Sequence, residues 1–185
     1  MRSEAKSLIA AGYLARREHR LPEAKIAFTQ AIDELRDANP PTLHLAEALR
    51  GLGQIERDLG EIAAALEHHQ QAADLYRTLQ MPQEVAHTLR HVADIERENG
   101  DLAAAAANYD EALLLYRGHP ETKALDLANT LRGYALLKGA TGHKEAAIAA
   151  WQEARLLYEQ AASETGLDLQ PAYDEIASQI AHLGS

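Results

Sequence analysis

Residues 47–66 read EALRGLGQIERDLGEIAAAL, and residues 87–106 read HTLRHVADIERENGDLAAAA. Both stretches show Leu-Arg, then Ile-Glu-Arg, then a glycine, then a run of alanines. A segment that recurs at a fixed period is one structural unit used several times, so this stretch decides the architecture. Extending the match gives four copies, offset by 41, 40 and 42 residues. One column holds Leu8, Leu49, Leu89 and Leu131, and a small residue follows four positions later at Gly12, Gly53, Ala93 and Ala135. Alanine then recurs at Ala24, Ala65, Ala105 and Ala147, and a ring at Phe28, His69, Tyr109 and Trp151. Ala31, Ala72, Ala112 and Ala154 come next, followed by Leu35, Tyr76, Tyr116 and Tyr158.

Each copy reads as two antiparallel helices. Apolar and small residues spaced by three and four place a stripe on one helical face. Gly60, Gly100 and Gly142 suit the left-handed residue that ends a helix. Asp101 is placed to cap the next one, and Pro22 fits a first turn. Pro40, Pro41, Pro82 and Pro120 separate one pair from the next, because proline is tolerated at helix starts and interrupts interiors. Small residues at fixed columns let the helices approach, and the ring fills the space between neighbouring pairs. A final segment carries Tyr173, Ile176, Ala177 and Ile180 at helical spacing. Tyr173 falls in the column of Leu131, so this segment reads as an extra first helix that covers the last apolar face.

The small–alanine–aromatic–alanine columns, Gly53, Ala65, His69, Ala72 and Ala93, Ala105, Tyr109, Ala112, resemble the tetratricopeptide repeat family over roughly residues 6–158. The period resembles the longer variety of kinesin light chains. The pattern departs from the family where leucine stands for its opening tryptophan, where Glu56 and Glu96 stand for its late tyrosine, and where His69 stands for a larger ring. The fold implied is all-α: a right-handed α-solenoid of four antiparallel helix pairs. They cover about 3–39, 41–80, 82–118 and 120–163, so the repeats span 3–163 of one cooperative domain, and a capping helix covers 168–183.

Bulk composition bounds the function. The 185 residues carry a formal charge of −10, which does not attract nucleic acid or an anionic membrane surface. There is no cysteine, hence no disulfide and no thiolate chemistry. No apolar run reaches the ~20 residues that cross a bilayer, and the opening segment lacks a signal-peptide core. A cytoplasmic location is the expectation.

In the resembled family, first helices line a concave surface. That mapping puts Arg50, Arg90 and Arg132 at one equivalent position, with Arg57 and Arg97 two turns further on and Gln54 and Asp94 between. The first copy adds Lys6, Ile9, Tyr13, Arg16 and Arg17. The basic side chains of this face outnumber Glu47, Asp58, Asp94 and Glu98 in a chain that is otherwise acidic. Guanidinium groups grip carboxylates through paired hydrogen bonds. The expected partner is therefore a protein or peptide, an extended acidic or C-terminal segment. Two alternatives stand beside it. The arginines pair internally, Arg90 with Asp94 and Arg132 with Asp174 or Glu175. Or the chain is a self-association module, forming a homodimer through an uncapped N-terminal end where Ile9 and Tyr13 offer apolar surface.

Catalytic chemistry is not legible. His87 and His91 share a face at metal-site spacing, yet no third ligand sits at a motif distance, so they read as exposed surface histidines. No glycine-rich phosphate loop or serine elbow occurs. The expectation is a binding protein without cofactor or metal, not an enzyme.

Overall fold

The computed structural model describes residues 2–37 and 42–184, and among these it contains helices and no strand. In order they are α1 (Arg2–Arg17), α2 (Leu21–Leu35), α3 (Leu43–Asp58), α4 (Ile62–Thr78), α5 (Pro82–Glu98), α6 (Leu102–Arg117), α7 (Ala124–Ala140), α8 (Lys144–Thr165) and α9 (Gln170–Gly184). The boundary expected at Pro40 and Pro41 lies outside the described residues. Pro82 opens α5 and Pro22 stands in the first turn of α2.

The links from first to second helix are short and end alike. In each, the residue just past the helix is left-handed: Gly60, Gly100 and Gly142 at φ of 80°, 87° and 78°, with His19 at 57° in the same place. The amide of the following residue then bonds back into the helix, as from Glu61 to the Glu56 carbonyl at 2.8 Å and from Arg20 to Ala15 at 2.8 Å. This satisfies carbonyls that the helix end leaves open. His19 holds a conformation that costs a residue with a Cβ about 1 kcal/mol. Asp101 caps α6 by accepting from the Ala104 amide at 3.2 Å, and Thr42 caps α3 through Leu45 at 3.2 Å.

The chain divides into two compact units, Met1–Ile95 and Glu96–Ser185. In the first, Ile9, Phe28, Leu35, Leu52 and Ile55 build a buried core with Ala24, Ala31 and Ala48. Ile9, expected on the groove, is a core residue, because the first helix has a single apolar stripe and Ile9 lies within it. Tyr13 is half-buried, with its ring edge-on to Phe28 at 5.0 Å. In the second unit, Trp151, Tyr158 and Leu131 pack with Ile176 of α9. Ala177 of that helix is exposed.

The repeated ring column is buried throughout: Phe28, His69 and Tyr109 are fully enclosed and Trp151 nearly so. Glycines make room for it. A Cβ on Gly12 would stand 2.8 Å from the Phe28 ring, one on Gly51 would overlap the opposite edge, and one on Gly133 would overlap the Tyr109 hydroxyl. The second and third copies add a polar clasp twelve residues long. His68 meets buried Glu56 at 2.6 Å, and Asn108 donates to Glu96 at 2.8 Å. These glutamates stand where the resembled family has tyrosine, so the departure has a partner built in.

Candidate functional site

In the first unit, Arg16, Gln54, Asp58, Arg90 and Asp94, five of the residues expected on one face, join a bonded chain. Arg16 of α1 donates from Nε to Asp58 at 2.9 Å and from NH1 to the Gln54 amide oxygen at 2.9 Å. The Gln54 amide nitrogen lies 3.2 Å from His91 Nε2 on α5. Arg90 donates to the same His91 nitrogen at 2.8 Å and to Asp94 at 2.9 Å. Three successive first helices are tied together by one network centred on Gln54 and His91. Arg16 and Arg90 are thereby largely compensated, and Arg90 with Asp94 is the internal pair that the sequence spacing offers.

Arg50 differs. The half-buried Arg50 sets its guanidinium 5.6 Å from the centre of the Tyr76 ring and engages the Tyr13 hydroxyl, while its Nε has no hydrogen-bond partner. Among the described residues it makes no salt bridge; Glu47, the carboxylate that acts on it, is held by His44 at 3.0 Å. Burial works against its charge, but Tyr13, Tyr76 and Glu47 favour it, and its pKa ends above the ordinary value. A cleft of about 570 Å³ opens in this unit between Tyr13, Arg16, Arg17, His19, Leu21 and Asp58. Arg57 is half-buried on the same helix as Arg50.

In the second unit, Arg97 reaches the Tyr109 hydroxyl at 3.4 Å and Glu98 at 3.2 Å. Arg132 is gripped by Glu175 of α9 through bonds of 2.6 and 2.8 Å. Glu175 rather than Asp174 is the partner, since Asp174 accepts from Gln170.

His91 corrects the sequence reading. It is no exposed surface histidine but a half-buried centre of the network, whose ring lies 4.9 Å from that of His87. The signal was present: His91 occupies the column of Gly51 and Gly133, opposite the one copy whose packing ring is reduced to histidine. His69 and His91 stack at 5.6 Å with planes 8° apart, two five-membered rings filling the space of one large ring and a glycine. Tyr76 beneath Arg50 carries no signal in the sequence, because a column of core residues does not show which ring lies under a cation. Among the described residues no group of three or more His, Cys, Asp or Glu side chains is arranged to hold a metal ion, and no helix is long and apolar enough to cross a membrane.

The family model described as soluble NSF attachment protein, SNAP, matches residues 2–124. The chain belongs to the SNAP family. Among solved structures, this SNAP-family chain is similar to BtubC (BKLC) from P. vanneervenii, with a TM-score of 0.81 and 14% identity, covering 96% of this chain and 70% of that one. It is also similar to the apo form of RapI, with a TM-score of 0.78 and 12% identity over the same shares. No curated protein sequence matches it. At these identities the likeness shows the fold: an all-α helical-repeat solenoid of the tetratricopeptide type, in accord with the repeat columns. SNAP membership was not legible in those columns, which are shared by helical repeats in general.

Proposed function

We propose that this SNAP-family chain is a non-catalytic, cytoplasmic protein-interaction scaffold, whose first-helix face in the first unit takes an extended acidic or C-terminal peptide. The family's own name describes an attachment protein, which supports a protein partner. The 40–42-residue period supports the longer repeat variety of kinesin light chains. Arg50 is the observation that carries the peptide reading. It is a half-buried cation held by Tyr13 with a bare Nε and no carboxylate, while Arg16 and Arg90 meet Asp58 and Asp94. A carboxylate from outside would complete it, and a hydrogen bond to a charged group contributes about 1.5–3 kcal/mol. Gln54, Arg57, Arg90, Asp94 and Tyr13 frame that position in the first unit. In the second unit, taken by itself, Arg97 and Arg132 are proposed contacts for an acidic segment, the latter once Glu175 is displaced.

The test is a labelled poly-glutamate peptide titrated into the protein at low and high salt, followed by fluorescence polarisation. Binding should weaken as salt rises. Arg50→Gln should weaken it at least tenfold with the helical signal unchanged, whereas equal affinity for wild type and variant would refute the reading. A second use of the first helix pair is supported by Leu14 and Ile26, exposed at 46% and 58%. If that surface pairs two copies, Ile26→Asp sediments as a monomer where wild type is a dimer; a monomeric wild type removes the possibility.

A further inference from the structure

The network around His91 constrains the protonation of its ring by geometry alone. Arg90 can only donate, so His91 Nε2, 2.8 Å from the Arg90 NH2, must accept and therefore carries no proton. The Gln54 amide nitrogen at 3.2 Å and His87 Nε2 at 3.3 Å converge on the same atom. A neutral His91 with its proton on Nδ1 leaves the single Nε2 lone pair facing these groups, with Arg90 as its nearest donor. Stacked on it, His69 is completely enclosed and neither of its ring nitrogens has a hydrogen-bond partner. Nothing there can receive a proton's charge.

The surroundings are charged in one sense. From α3, Arg50 and Arg57 act on His69, and Arg90 acts on it from α5. His68, its neighbour on α4, adds to them and is itself engaged with Glu56. His87 and Arg57 act on His91 likewise. Asp94, the carboxylate three residues beyond His91 on α5, is bonded to Arg90 at 2.9 Å.

We propose that the His69–His91 stack is a proton-operated joint: it holds α5 against the α3–α4 pair while both rings are neutral and releases it when they are protonated. A proton on His91 Nε2 removes the lone pair that Arg90 donates to and sets an N–H against that guanidinium. A proton on His69 sets a cation, without hydrogen-bond partners, beside three guanidinium groups. Either event separates the two rings, and with them the seam. Burial first, and then these arginines, hold His69 down to about 3 and His91 well below its ordinary value. Both groups have folded pKa values depressed below the unfolded one. Their contribution is therefore complete above about pH 6.5 and is lost as pH falls from there toward the folded values.

The experiment is amide hydrogen exchange on the full chain at pH 7.5 and 5.5, corrected for intrinsic exchange, together with urea unfolding at both values. One buried neutral histidine raises the unfolding constant about tenfold over that interval, and two raise it about a hundredfold. Protection should be lost first in α4 and α5, with α1–α2 retaining it. The variant His69→Phe with His91→Gly copies the Phe28–Gly51 arrangement and should lose less than threefold. Equal acid sensitivity in wild type and variant, or uniform loss of protection along the chain, would overturn the proposal. Nitrogen NMR of wild-type histidine rings decides independently of whether the variant folds. A His91 ring that bears its proton on Nδ1 and remains neutral at pH 5.5 supports the joint, and one that titrates near 6.5 refutes it.

Discussion

Where α2 meets α3, the Phe28 ring lies between Gly12 and Gly51. Where α4 meets α5, His69 lies against Gly53 and stacks on His91. The two seams occupy the same columns of the repeat, and Phe28 and His69 are both completely enclosed while His91 is half-buried. The first fills the space with one apolar ring and two missing Cβ atoms. The second divides a similar space between two imidazoles and draws Gln54, Arg90 and His87 into the contact. Packing alone is indifferent between these solutions. Only the first is indifferent to pH, because hydrocarbon exchanges no proton and a buried imidazole is stable there only while neutral.

Removing the rings should separate the seams most sharply. Phe28→Ala should cost about 4 kcal/mol, as large core truncations do, and should cost it equally at pH 7.5 and 5.0. His69→Ala should cost about 2 kcal/mol at pH 7.5, since it also deletes two unsatisfied polar atoms. At pH 5.0 that cost should nearly vanish. His69 titrates near 3 when folded and at its ordinary value when unfolded, so wild type alone forfeits about 2 kcal/mol across the gap. Urea unfolding of both variants at both pH values checks this. An undiminished cost for His69→Ala at pH 5.0 would place the histidine in the same class as Phe28.

The smallest effect concerns the turns that hold the two helices of each pair. His19→Gly should raise stability by about 1 kcal/mol, because three sister turns use glycine for the same left-handed backbone. Gly60→Ala should lower it by a similar amount, read by thermal unfolding; opposite signs are the criterion.

Much of the architecture was legible because it depends on the nearest few residues and on the period. The alanine and ring columns, the glycines at 60, 100 and 142, and Asp101 as a cap each follow from local backbone needs. The site was legible only in part. Spacing put Arg50, Gln54, Arg90 and Asp94 on one kind of helix face, and Gln54, Arg90 and Asp94 join the same network in the first unit. It could not say that Gln54 would bind Arg16 and reach His91, since those pairs lie 37 and 38 residues apart.

Taken alone, the amino-acid sequence determined that this chain is a stack of helix hairpins, because apolar periodicity and turn chemistry act over a few residues and repeat four times. Tertiary structure alone decided which cations are satisfied and which histidines are shut away from water. Charge compensation and burial are set by side chains from three different helices, and no column of the repeat records the partner that another helix will bring.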